Sequence, residues 1–543
     1  MIARNIVSPL ILSAALTLAA SQQAAAGLLD SISGALNPQQ QAESTNLSRL
    51  TARSDCGGDG RASLLNAQVE QGLGTVQDPA LHAYLNAIAA KLAAGSPMPG
   101  CRIEVIVTPH DAAQAVALAD GGILIAIGFL RNLKTEDEVA ALLAHELSHV
   151  LHNHHSSDAF VDTQDGFLKG LDTANAAGSM LLGAVDPKLA AGLDAATNVG
   201  GAMYQISESM IAPAWTSDQE DEADLTGTDL LVAAGYNPRA MASIMDVIAV
   251  QDEAAAQVDA EREKLHQQRM QQTLADTATT TDFNNPLSIL GSAAKLTTSM
   301  VSGADGKTHR PAAERKTQVN DYIKKFHNKH RRRSFTSAPW EAIMTAGATG
   351  TTFDHYKQAA EARRAVYAGQ DLNQALKMAR ASVSGNFSGH AYPRLVNSEV
   401  RLKQGDRKKA MQNLEIALRD NDAPWQIYRS YAELQMLTGN TLGAASTVQR
   451  ADARFGQPLG IAPFAIKVHR AAGDQASVEA YLNRCRVAGK RAHVKICEAA
   501  AGQQKPEANS GSATGGSGIV GSGFKLPGFG GGSGSPFSFG SKN

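Results

Sequence analysis

The sequence predicts a mainly α-helical chain: an α+β part with a small sheet, followed by a solenoid of helical repeats. Three observations carry this. An apolar stripe at helical spacing, from Val139 to Leu151, holds two histidines four residues apart and follows two strand-like runs. Gly405, Gly439 and Gly473 recur every 34 residues, each followed by Asp or Asn. From about 501 onward Gly, Ser, Pro and Phe dominate, a composition that builds no core, so 501–543 are expected to be disordered.

Taken in order, residues 1–26 read as a secretory signal. Arg4 supplies the positive end, Val7 to Ala20 the apolar stretch, and Ala24-Ala25-Ala26 the small-residue cleavage site before Gly27. The apolar stretch is short for a membrane anchor, and no cysteine follows the cleavage site, which argues against lipoprotein processing. Residues 27–54 are polar and patternless and read as a linker. A net charge of −2 and a pI near 6.7 give no reason to expect nucleic acid. Four cysteines fit an oxidising compartment, and their positions suggest Cys56–Cys101 and Cys485–Cys497 out of three pairings. The second pair would pin a bend at Val487-Ala488-Gly489-Lys490.

Residues 55–335 hold the candidate site. A helix is predicted over 79–94, then strands over Arg102 to Thr108 and Gly122 to Gly128. The second strand, Ile123 to Ile127, is the candidate edge for pairing with an extended peptide, unless it is covered on both sides. Thr135-Glu136-Asp137-Glu138 reads as a capping box opening the next helix. That helix carries His145-Glu146-Leu147-Ser148-His149. Histidines four apart lie about 40° apart round a helix, so both imidazoles can hold one tetrahedral zinc ion. Glu146 sits beside the first ligand, placed to take a proton from a water activated at the metal. Helix, strands, then an HExxH helix is the zincin order.

Two histidines leave the metal site incomplete. Glu220 and Asp224 share a helical face, so Glu220 can bind the metal while Asp224 fixes the tautomer of a ligand histidine. A solvated acidic helix start would look the same in isolation. Residues 252–305 are Gln-, Thr- and Ala-rich, an insertion or lid rather than core. The Ala/Gly/Leu/Met-rich segment 176–206 contains Asp186, Lys188 and Asp194, which argues against a bilayer span. It leaves a buried or membrane-touching hairpin open. The basic run from Lys324 to Arg333 could meet acidic lipid or an acidic partner, or be a solvated helix end. Over 336–500, Leu414, Val448 and Leu482, and Ala417, Ala451 and Cys485, keep the glycines' 34-residue register, the spacing of tetratricopeptide repeats. A poorer unit surrounds Gly369. Stacked hairpins of this kind form concave protein-binding surfaces.

The pairing of His145-Glu146-Leu147-Ser148-His149 with Glu220-Asp221-Glu222-Ala223-Asp224 resembles the HtpX/CAAX-prenyl-protease superfamily of zinc endopeptidases. Gly121-Gly122-Ile123, Asn153-His154, Ala234-Gly235-Tyr236-Asn237-Pro238 and Thr308-His309-Arg310-Pro311 through Arg315 add to the likeness, which covers roughly 60–330. It departs at Gln114-Ala115, where the family has Asn-Ala, at Ser217, and at Arg310 between His309 and Pro311. The resemblance implies one Zn²⁺ per chain, held by His145, His149 and Glu220, with Glu146 and Asp224 as catalytic groups. It further implies His309 as a removable fourth ligand and Arg315 as a holder of substrate or transition-state charge. With the signal and the repeats, it is most similar to periplasmic members that serve outer-membrane protein quality control. The partners implied are unfolded or misassembled polypeptides and, through the repeats, the outer-membrane β-barrel assembly machinery. A chaperone or assembly scaffold with a latent zinc site is the alternative. An intact Glu146 argues against it, since a structural site does not need that residue.

Overall fold

A computed structural model describes residues 44–51, 73–118, 121–154, 215–250, 253, 311–489 and 491–503. The expected signal, Cys56, the 176–206 segment, nearly all of the 252–305 insertion, His309 and residues 504–543 of the Gly/Ser-rich tail lie outside the described residues.

The first part is built from α1 (Asn46–Arg49), α2 (Pro79–Ala94), β1 (Glu104–Thr108), β2 (Ala115–Ala117) and β3 (Gly122–Ala126). It continues with α3 (Ile127–Leu130), α4 (Glu136–His152), α5 (Ser217–Ala233) and α6 (Ala312–Phe326). The strand order is β1-β3-β2, with β3 parallel to β1 and antiparallel to β2. This corrects the expected edge. Every β3 residue is buried and the strand is paired on both sides, so Ile123 to Ile127 cannot be the edge, and Ile127 already begins α3. Among the described residues, the antiparallel edge is β2.

Helix α4 forms where its stripe demands. Val139, Leu142, Leu143, Leu147, Val150 and Leu151 are all buried against α2, the sheet and α5. Glu136, Asp137 and Glu138 meet the positive end of the helix dipole, and the Thr135 hydroxyl accepts from Glu138 N at 3.2 Å. The capping box is only half made, because the Glu138 carboxylate takes the Lys134 N–H (2.6 Å) and the Ser243 hydroxyl instead. A complete box opens α5, where Thr216 and Gln219 exchange bonds. Asp137 is buried and accepts from Asn237 N (2.6 Å) and Thr336 N (2.5 Å), tying the turn after α5 to the chain beyond α6. Asp137→Ala strands the buried Asn237 N–H and should cost roughly 1–3 kcal/mol, read from the urea unfolding midpoint.

The expected linker is not patternless throughout. Residues 44–51 dock through backbone donors: Leu47 N reaches Asp229 Oδ2 at 2.8 Å, and Asn46 N reaches the Tyr322 hydroxyl at 2.8 Å. Asp229 is buried and also accepts from Tyr322 and His327, so α1 completes the shell of a carboxylate between α5 and α6.

The second part comprises α7 (Ala338–Thr345), α8 (Gly347–Tyr367), α9 (Leu372–Ala381), α10 (Ala391–Lys403), α11 (Arg407–Ala417), α12 (Trp425–Leu437), α13 (Thr441–Arg454), α14 (Ala462–Ala471), α15 (Gln475–Ala488) and α16 (Arg491–Ala500). Helices α8–α9, α10–α11, α12–α13 and α14–α15 pack as successive pairs. The glycine column has a backbone cause. Gly405, Gly439 and Gly473 have φ of +79°, +83° and +76°, ending the first helix of each pair in the left-handed region. Asp406, Asn440 and Asp474 then cap the second helix, accepting from Lys409 N, Gly443 N and Ser477 N. Cys485–Cys497 is bonded as expected and joins α15 to α16; Cys101 is also disulfide-bonded.

Among the described residues, one large hydrophobic cluster runs from Leu73 to Ala500 through both parts, and Val116, Leu124 and Ala126 form a second, small one. Buried Trp340 donates to Leu133 O at 2.9 Å, and Gln77 N donates to the Tyr356 hydroxyl at 3.4 Å. Among the described residues, no helix is long and apolar enough to cross a membrane.

Candidate metal centre

Helices α4 and α5 bring the predicted residues together. Their close approach beside His145 depends on Gly227: a Cβ there would lie 3.2 Å from the Ala144 backbone and 2.6 Å from the Met241 side chain. His145 Nε2 and His149 Nε2 face each other at 3.2 Å. Glu220 Oε2 is 3.6 Å from the first, and Glu220 Oε1 is 3.9 Å from the second. Ligand atoms about 2.0–2.1 Å from a tetrahedral zinc stand roughly 3.3 Å apart, so the histidine pair already has the required spacing. The carboxylate is a few tenths of an ångström wide of it. All three side chains are buried.

The outer hydrogen bonds set the chemistry of this set. His145 Nδ1 is 2.9 Å from Asp224 Oδ1, which accepts its proton and turns the Nε2 lone pair inward. Arg315, buried on α6, grips both carboxylates. Its Nε and Nη2 donate to Asp224 at 2.7 Å each, and Nη1 meets Glu220 Oε2 at 2.9 Å. Burial pushes His145 toward its neutral form, but the Asp224 hydrogen bond and the charges of Asp224, Glu220 and Glu146 outweigh it and raise its pKa. Burial would likewise raise Asp224; Arg315 and His145 together hold it below the usual carboxylate range. Two inward imidazole nitrogens beside a buried carboxylate therefore form a donor set organised around positive charge, and it fits a divalent metal ion.

Glu146 is buried one residue round α4. Burial raises its pKa to about 7, and Glu220 pushes the same way, against the lowering pull of His145, the Ala117 backbone and Arg315. A carboxyl poised near neutrality can both accept and return a proton.

The sequence reading missed three contributors. Trp215 stacks on the His149 ring at 4.4 Å and 15°. His154, reached through a left-handed Asn153, places Nδ1 2.8 Å from His149 Nδ1. The Ala117 backbone on β2 hydrogen-bonds to Glu146. Asn153-His154 entered the sequence reading only as part of the family likeness, with no role given to the ring. Arg315, expected near substrate charge, is engaged by Glu220 and Asp224.

Residues 77–322, the span that holds this centre, match the sequence model of Peptidase family M48. The match covers less than half of the chain and likens this part to the M48 peptidases. The likeness read from the HExxH and acidic segments is borne out at that level. The chain is similar to the Beta-barrel assembly-enhancing protease of Escherichia coli (strain K12), 28% identical over 171 residues, 32% of this chain and 33% of the relative. The protein of that name from Yersinia pestis is 28% identical over 176 residues, 32% of this chain and 34% of the relative. A Protease HtpX homolog from Methanothermobacter thermautotrophicus is 39% identical over 75 residues, 14% of this chain and 28% of the relative. The matches to the Beta-barrel assembly-enhancing proteases thus span about a third of each relative's length.

Proposed function

We propose that this protein is an exported zinc-dependent endopeptidase acting on misfolded or stalled envelope proteins. The observation that carries the reading is the convergence of His145 Nε2, His149 Nε2 and the Glu220 carboxylate with Glu146 alongside. His145, His149 and Glu220 would hold one zinc ion, which supplies Lewis-acid polarisation of a scissile carbonyl and eases deprotonation of water. Glu146 takes the proton of the attacking water and returns it to the leaving amine. Asp224 holds the His145 Nδ1 proton, and Arg315 fixes Asp224 and Glu220 in place. Strand β2, the antiparallel edge beside Glu146, offers backbone groups to an extended substrate; this role passes to it from β3.

Residues 336–500 are read as tetratricopeptide repeats, supported by the 34-residue register of Gly405, Gly439 and Gly473 and the caps that follow them. They would deliver unfolded chains or bind a protein partner. The relatives named as β-barrel assembly-enhancing proteases favour work on β-barrel proteins; a periplasmic location and peripheral membrane contact are carried over from the family likeness. His309 is carried over from the family likeness as a removable cap on the metal.

The test is casein cleavage with metal analysis. Chelation should abolish cleavage and stoichiometric zinc restore it. His309→Ala should cleave faster than wild type at equal zinc content. Cleavage indifferent to chelator would end the metallopeptidase reading, and an unchanged rate in His309→Ala would end the capping role.

A further inference from the structure

Five histidines crowd residues 145–155, and the proposed centre takes only His145 and His149 as ligands, with His154 bonded behind His149. Two of the others meet the acidic helix from a second direction. His154 Nε2 is 3.0 Å from Glu222 Oε2, and His152 Nδ1 is 3.2 Å from Glu222 Oε1. The His152 and His154 rings stack at 5.3 Å and 22°, and one donor atom from each of the three residues lies within 4.8 Å of the other two. His152 Nε2 is 2.8 Å from the Thr226 hydroxyl, a contact that anchors the ring and leaves Nδ1 on the Glu222 side. Glu222 is half-exposed and lies at an opening shared with Asn46, Arg49 and Leu151, so solvent ions reach it.

The geometry points to a second metal site on this chain, in which His152 Nδ1, His154 Nε2 and Glu222 bind a zinc-class divalent ion. Two imidazoles and one carboxylate are the donor chemistry of such ions. Arg49 at the opening opposes a cation there, which makes this the weaker of the two sites.

The two sites share a wire. His149 of the first site and His154 of the second meet through their Nδ1 atoms at 2.8 Å, so an ion that draws the His154 ring to itself disturbs the outer bond of a ligand of the first site. Outer-shell bonds of this kind change metal affinity about 10–100-fold, so each ion should weaken the other by a factor in that range. If the first site is catalytic as proposed, excess zinc slows cleavage as the second fills.

The experiment is zinc titration of the metal-free full-length chain by calorimetry, with ion content checked by elemental analysis. Wild type should take two ions in a tight and a weak step. His152→Ala and Glu222→Gln should each lose the weak step, with melting curves confirming that they fold. His145→Ala should lose the tight step alone. A single ion in wild type, lost in His145→Ala and kept in His152→Ala, overturns the second site and leaves the first standing. A single ion lost in His152→Ala and kept in His145→Ala supports the second site and overturns the first. Two ions retained in both His152→Ala and Glu222→Gln would refute the assignment.

Discussion

Glu146→Gln is expected to lower peptide-bond cleavage by about 10²–10⁴-fold while zinc content and melting temperature stay at wild-type values. The amide preserves shape and the contact with the Ala117 backbone through its oxygen, but it cannot take a proton. Stability should not suffer, because the native fold penalises the charged form of Glu146: burial raises its pKa to about 7. Removing a carboxylate that the fold holds at a disadvantage relieves strain rather than creating it. The rate should be followed with an internally quenched peptide and with casein, at saturating zinc. A near-wild-type rate in Glu146→Gln would remove the residue from the chemistry. Loss of zinc in this variant would mean it is a ligand.

The parts legible in the sequence were those whose cause is local. Helix α4 announces itself through a cap, an acidic first turn and an unbroken apolar stripe, and the HExxH spacing follows from helix geometry alone. The repeat turns were legible for the same reason, since a left-handed glycine followed by a capping Asp or Asn is a local device. The Cys485–Cys497 bond spans a short bend that the sequence already displayed. Strand β2 was not legible. Ala115-Val116-Ala117 is too short and too poor in β-branched residues to read as a strand, and missing it put the sheet edge on β3. Gly227, Trp215 and His154 owe their importance to contacts made across chain or around a turn. The same holds for α1, whose four residues show no pattern until Asp229 supplies their partner.

Arg315→Ala should have the largest effect on stability, and it separates two roles for that residue. Family likeness casts Arg315 as a holder of substrate or transition-state charge, while its donors are occupied here by Asp224 and Glu220. Removing a buried partner leaves buried charge uncompensated, at a cost of roughly 3–5 kcal/mol. In metal-free protein the two carboxylates would then face each other with only His145 for relief. Urea unfolding of the metal-free variant should show that full loss. Zinc should return part of it, since an ion at His145, His149 and Glu220 restores positive charge to the same carboxylates and binds the native state preferentially. Arg315→Lys should fall between, because an ammonium keeps the charge but cannot span Asp224 and Glu220 as a planar fork does. If Arg315 acts instead on substrate, Arg315→Ala will unfold at the wild-type midpoint and fail in turnover alone. Stability and turnover must therefore be measured on the same preparations: only a loss of stability that zinc partly reverses assigns Arg315 to holding the site together.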